Sequence, residues 1–430
     1  MHPTSFHCAN AAFAIAILAA SPAVLAEDAA GLQELRREIE ALKSSYESRL
    51  QALEQRLKQA EEAARTAAAP TAPAPAPLAA PSPRAVASGA NAFNPAIGMV
   101  LSGIYTHTSR DPAQYAITGF PVPAGVGIGP GSRSFSLAET ELNISANIDP
   151  YFRGVLNYSI QPDDSASAEE AFIQTLGLGN GLTLKAGRYF SGFGYLNEQH
   201  AHTWDFADNP LVYQAFLGTQ FADDGVQFRW LAPTDTYLEL GGEVGRGRSF
   251  PANDNAGNGI GASVAYARTG GDIGASSNWR AGISYLQTSP RDERTRLLGT
   301  DFVWKWAPEG NTNYRNFKLQ GEYLWRRLAT IDGVPVGATA EDVPRARSSG
   351  WYLQGVYQFM PAWRAGLRYD RLAGDNYDPS RASFMVDWSP TEFSRLRLQF
   401  ARDRSREGFA DNQLFLQYQM SLGAHGAHNY

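Results

Sequence analysis

The chain has 430 residues, with 37 Lys and Arg against 43 Asp and Glu, for a formal net charge of −6. That balance excludes a basic nucleic-acid footprint, and no apolar run outside the N-terminal region is long enough for a transmembrane helix. Aromatic residues make up 12% of the chain, glycines number 41 and the single cysteine is Cys8. This composition fits a membrane β-barrel, whose alternating strands average out as polar.

Residues 1–26 read as a secretory signal. Ala11 to Ala20 form an apolar core, and Val24-Leu25-Ala26 supply small residues for cleavage after Ala26. The n-region carries His2 and His7 in place of Lys or Arg, and Cys8 precedes the apolar core, so it leaves with the signal. In residues 27–65, Leu32, Leu35, Ile39, Leu42 and Tyr46 keep a 3-4 spacing, which resumes after a phase shift at Leu50, Leu53, Leu57, Ala60 and Ala64. The pattern predicts a short coiled coil with a stutter. So narrow an apolar stripe makes a weak lone helix, so self-association is expected, a trimer being among the states it admits. Residues 66–90 alternate Ala and Pro, a semi-rigid polyproline-type linker.

From residue 91 to 430 the alternation predicts an all-β domain, either a soluble sandwich or a membrane barrel; the secretory signal, the strand length and the terminal aromatics favour a single transmembrane antiparallel barrel of about sixteen strands. The candidates are Ile97–His107, Phe135–Asn147, Tyr151–Ile160, Ala168–Leu176, Leu182–Tyr189, Gly225–Leu231, Thr236–Val244 and Ile260–Arg268. They continue through Trp279–Gln287, Thr300–Trp306, Arg315–Arg326, Trp351–Phe359, Trp363–Arg371, Ala382–Trp388, Arg395–Arg402 and Asn412–Leu422. Alternation sets Leu396, Leu398 and Phe400 opposite Arg395, Arg397 and Gln399. In the closing strand, Leu414, Leu416, Tyr418, Met420 and Leu422 oppose Gln413, Gln417, Gln419 and Ser421, with Phe415 the exception. A barrel turns the apolar face to lipid and the polar face to water. Tyr151-Phe152, Tyr189-Phe190, Trp304 with Trp306, Trp351-Tyr352 and Trp388 sit near strand ends, where an aromatic girdle is expected.

Asp149-Pro150, Ala232 to Asp235, Met360-Pro361 and Ser389 to Thr391 read as short periplasmic turns. Ser109–Ser134, Pro251–Gly259, Ser289–Leu298 and Ala329–Ser348 read as long outer loops. One stretch breaks the rhythm. Ser191 to Asp223 has no clear alternation, and a connection of that length is often functional; folded into the lumen it would form a constriction. It holds Glu198, His200, His202 and Asp205, an imidazole and carboxylate set suited to zinc. The tail adds His425 and His428. The polar alternative is a loop whose histidines bond to carbonyls or water. No nucleophilic triad and no phosphate-cradling glycine loop stands out, so no catalytic residue is assigned.

The Ala-Phe-Asn-Pro-Ala-Ile start at 92–97, the Gly192 to Phe206 run and the Gly-Ala-His-Gly-Ala-His tail resemble a group of Gram-negative outer-membrane proteins. That group is similar to the phosphate-selective porins, and some of its members are labelled zinc-regulated or TonB-dependent. The resemblance implies a signal, a coiled-coil arm in the periplasm and a porin-like barrel. A TonB-dependent receptor carries a plugged barrel of about twenty-two strands. The segment ahead of this barrel is a helix and a tether, with no globular plug. Candidate lumen residues are Lys185, Arg229, Lys318, Glu322, Arg364, Arg368, Arg395 and Arg397, with Arg326 beside them and Glu139, Glu141, Glu239, Glu243 and Asp370 in opposition.

The reading is a porin-like channel for passive diffusion of small hydrophilic solutes or ions, set in outer-membrane lipid as a homo-oligomer. The alternatives are a zinc-linked uptake or binding protein, with zinc as its candidate ion, and a structural envelope protein acting through its periplasmic arm.

Overall fold

The computed structural model describes Gln55 and residues 95 to 423, apart from 124, 253, 255, 256, 289–292, 331–346 and 375. The expected signal peptide (1–26), the coiled coil (27–65, save Gln55), the linker (66–90), and His425 and His428 lie outside the described residues.

Strands β1 to β9 are Ala96–Thr108, Ser134–Leu137, Thr140–Asn147, Phe152–Ile160, Ala166–Thr175, Leu182–Phe190, Ala222–Leu231, Tyr237–Gly245 and Ala262–Ile273. Strands β10 to β17 are Ser277–Thr288, Glu293–Trp306, Asn316–Thr330, Arg347–Met360, Trp363–Ala373, Ser380–Thr391, Ser394–Arg404 and Asp411–Gly423. One short helix, α1 (Leu211–Leu217), sits between β6 and β7. Apart from β2 and β3, each strand pairs antiparallel with the next, and β17 returns to β1 from Gly98 opposite Gly423 to Thr108 opposite Gln413. Both β2 and β3 pair with β1 and share one place in the wall, so the seventeen segments make sixteen staves of a closed barrel. Closure removes the unpaired edge that lipid could not satisfy. Among the described residues no helix is long and apolar enough to cross a membrane.

Side-chain alternation decides which face meets lipid. On β17, Leu414, Leu416, Tyr418, Met420 and Leu422 are all exposed on the outer wall, while Gln413, Gln417, Gln419 and Ser421 are buried inside. Leu396, Leu398, Phe400, Phe384 and Leu367 extend the apolar belt around the barrel. Moving such a side chain from water into hydrocarbon is worth about 1.5–3 kcal/mol, so the belt holds the barrel in a bilayer. Phe415 points inward and is 2% exposed, as its break in alternation requires.

Several expectations change. The predicted Phe135–Asn147 strand is broken at Ala138-Glu139. The stretches read as loops at 289–298 and 329–348 are shorter, because β11 starts at Glu293, β12 runs to Thr330 and β13 starts at Arg347. Of the aromatics assigned to a girdle, Tyr189, Phe190 and Tyr352 are buried inside the barrel; Tyr151, Phe152 and Trp388 are exposed outside. The rings of Trp388 and Trp363 stack at 6.0 Å on the outer wall. The Asp149-Pro150 turn is confirmed by its chemistry: Asp149 Oδ1 accepts from the backbone N–H of Tyr151 at 2.7 Å and of Phe152 at 2.8 Å.

Candidate functional site

The stretch without alternation, residues 191–221, lies inside the barrel. It is built for that position. Leu211, Val212, Tyr213, Ala215, Phe216 and Leu217 of α1 are all buried, and they join Ile117 and Phe120 from the β1–β2 loop in one apolar cluster. Leu286, Leu297, Leu324, Tyr352 and Leu372 of the wall complete that cluster. The helix ends at Gly218 in the left-handed conformation (φ 65°), whose N–H returns to the Tyr213 carbonyl. These apolar residues fill the lumen towards the ends where β1 and β6 finish.

Polar side chains of the wall fasten the segment. Glu322 accepts four hydrogen bonds: from the backbone N–H of Tyr195 and Leu196 (both 3.0 Å), and from the hydroxyls of Tyr213 (2.8 Å) and Tyr352 (2.7 Å). Gly194 sits against this carboxylate at φ +74°, where a Cβ would meet both Glu322 and the Tyr213 hydroxyl, so glycine is required. Asp205 is gripped by Lys318, by Arg364 at 3.2 Å and by Gln354 at 3.0 Å. Asp208 is held by Arg368 at 2.9 Å and Arg381 at 2.7 Å, with Gln399 at 2.7 Å. Burial alone would raise both aspartate pKa values, but the facing cations outweigh it and hold both below the ordinary carboxylate range. Arg395 and Arg397 donate to the carbonyls of His202 and Trp204, each at 2.5 Å.

Thus the predicted lumen residues face inward, and all except Lys185 and Glu239 meet the 191–221 segment; Glu239 pairs instead with Arg268 at 2.9 Å. Lys185 lies 4.4 Å above the Phe172 ring. Glu198 and Asp205 do not join the histidines. Glu198 pairs with Arg229 and, at 2.6 Å, with Arg268, because the guanidinium groups of β7 and β9 face it.

His200 and His202 turn the other way, towards β3 and β5. Their rings stack with centroids 5.6 Å apart. Glu141 Oε2 lies 3.1 Å from His200 Nδ1 and 3.2 Å from His202 Nδ1, and Glu139 Oε1 is 3.6 Å from His202 Nδ1. Glu139 occupies the break between β2 and β3. On the far side of the His200 ring, Nε2 is 2.9 Å from Glu170 Oε2 and 3.0 Å from the Asn157 amide nitrogen. Burial alone would lower the His200 pKa, but hydrogen bonds to Glu141, Glu169 and Glu170 hold it well above its ordinary value. Glu169 and Glu170, which the sequence reading missed, both point inward through a register shift between β4 and β5. The signal was available: adjacent glutamates break the alternation of the Ala168–Leu176 candidate.

Beneath the segment opens a vestibule of about 1440 Å³, flanked at its rim by the short turns at 274–276, 307–313 and 389–394. Glu141, His200 and His202 line it, together with Arg280, Lys305, Lys318, Arg364 and Arg395.

No protein-family model matches the chain. An uncharacterized protein of Aquifex aeolicus (strain VF5) is 32% identical over 340 residues, covering 69% of this chain and 70% of that protein. Among solved structures, similar folds are found in a loop-deletion mutant of the outer-membrane protein OmpT of Vibrio cholerae and an anion-selective porin from Comamonas acidovorans. Each has a TM-score of 0.50 at 10% identity, covering 76% of this chain and 99% of the other. The outer-membrane channel DcaP of Acinetobacter baumannii also has a TM-score of 0.50, at 11% identity over 76% of this chain and 97% of that one. These likenesses establish the sixteen-stranded porin fold.

Proposed function

We propose that this chain, which belongs to the same family as the uncharacterized Aquifex aeolicus protein, is a porin-like channel of the bacterial outer membrane. The observation that carries this reading is the inversion of the barrel: apolar outside, and inside a charged vestibule that narrows onto an inward-folded segment. Short turns of such barrels face the periplasm, so the vestibule opens to that side and the apolar cluster around α1 lies towards the outside. Small hydrophilic solutes are the cargo this lumen suits. Selectivity follows from the basic residues Arg280, Lys305, Lys318, Arg364 and Arg395, which favour anions; the porin from Comamonas acidovorans, of similar fold, is named as anion-selective. The zinc-uptake and structural-envelope readings have less support, because neither accounts for a charged vestibule inside a porin-type barrel.

The segment narrows the path in this conformation, so conductance depends on its seating. Reconstituted in planar bilayers under ion substitution, the protein is expected to give small, anion-favouring conductance steps. A variant with residues 209–219 replaced by a Gly-Ser linker is expected to give steps at least several-fold larger. Absence of steps from both proteins would reject the channel.

A further inference from the structure

The histidine pair is placed in a way that the channel reading does not use. One carboxylate oxygen, Glu141 Oε2, stands nearly equidistant from two Nδ1 atoms. An oxygen shared by two N–H donors would account for those two contacts alone; the fuller set of separations is that of ligands around one ion. A tetrahedral zinc site with bonds of about 2.0–2.1 Å has ligand-to-ligand edges of roughly 3.3 Å. The three measured edges are 3.1, 3.2 and 3.6 Å, and the four donor atoms all lie within 4.8 Å of one another.

A second observation points the same way. A metal-bound histidine gives its other ring N–H to a carboxylate that is itself held in place. His200 Nε2 meets Glu170 Oε2 at 2.9 Å. Glu170 in turn accepts from the Phe190 N–H at 3.1 Å and from the Asn157 amide at 2.8 Å. The shift in register that turns Glu170 inward therefore orients a ligand. Access exists too, since Glu141, His200 and His202 line the vestibule.

We propose that Glu139, Glu141, His200 and His202 bind a first-row divalent metal ion of the zinc class, which fastens the lumenal segment to the wall at β3. Two imidazoles and two carboxylates suit zinc rather than calcium or magnesium, which prefer all-oxygen shells. Two ligands come from the segment and two from the wall, so the ion is a cross-link between them.

The readout is bound metal, which makes the test independent of whether the barrel conducts. Full-length protein folded in detergent, stripped with chelator and dialysed against zinc chloride, is expected to retain one zinc per chain. With cobalt(II) in its place, the visible bands of a tetrahedral ion are expected. His200→Ala with His202→Ala is expected to abolish both signals. Glu170→Gln, which leaves all four ligands, is expected to weaken zinc binding by about 10–100-fold. Folded wild-type protein without zinc, zinc binding unchanged in the double variant, or a cobalt spectrum of octahedral type would each overturn the site. Should the double variant fail to fold, the Glu170→Gln affinity and the wild-type cobalt spectrum decide the matter.

Discussion

At the scale of single residues, the lumen is organised by carboxylates with unequal surroundings. Glu322 is 3% exposed and faces four donors. In Glu322→Gln the new amide nitrogen opposes some of those donors. A tyrosine hydroxyl can rotate, but a backbone N–H cannot. At least one buried donor is then left without an acceptor, at a cost of about 1–3 kcal/mol. The expected result is faster proteolytic nicking within 191–221, with the barrel still resistant to unheated detergent gels. Asp205 and Asp208 carry a different consequence. Their pKa values are lowered in the folded state by Lys318, Arg364, Arg368 and Arg381. A lowered value means their stabilisation is complete above the unfolded pKa, near 4, and is lost as pH falls through the folded value. Seating of the segment should therefore hold from pH 7 down to about 4 and fail below that, read as growing protease access. Asp205→Asn combined with Asp208→Asn should show that loosening already at pH 7. Loosening of the wild type on raising the pH instead would refute the assignment.

At the scale of elements, strands were legible and the inserted segment only half so. Alternation such as Leu396, Leu398 and Phe400 against Arg395, Arg397 and Gln399 is a property of neighbouring residues, and the structure keeps those faces. The strand ends were not legible, because β11, β12 and β13 run past the last alternating pair. The same holds for partner choice inside the lumen. Residues 191–223 announced themselves by lacking a period. Yet His200 met Glu141, His202 met Glu139, and Glu198 met Arg268, through contacts spanning dozens of residues that spacing cannot encode. The helix α1 is the element where this matters most. It holds its place by burying Leu211, Val212, Phe216 and Leu217 against the wall. Phe216→Ser exposes a hydroxyl to that cluster and removes an aromatic side chain, a loss of about 3–5 kcal/mol by analogy with large-to-small core changes. The barrel ladder does not depend on it, so the expected result is a folded barrel with higher and noisier conductance. A collapse of heat-resistant gel mobility would mean that α1 supports the wall as well.

At the scale of the whole molecule, the barrel has no need of the residues ahead of it. Its ladder closes from β1 to β17 through eleven paired positions, beginning at Gly98. Every stave from residue 96 to 423 has a neighbour on both sides. Whatever residues 27–90 contribute must therefore concern something other than closure. Their sequence suggests what: the apolar positions from Leu32 to Ala64 repeat at coiled-coil spacing, and a stripe that narrow is stable only when paired with another. We infer that this arm sets the association of chains. Deleting residues 27–65 should leave folding, heat-resistant gel mobility and unit conductance as they are, and should lower the oligomeric mass measured by light scattering in detergent. Replacing Leu35, Leu42, Leu50 and Leu57 by Asn should do the same without shortening the chain, because it removes the stripe and keeps the length. If both variants retain the full oligomeric mass, the association surface lies on the barrel wall, and the exposed apolar belt is where to look for it.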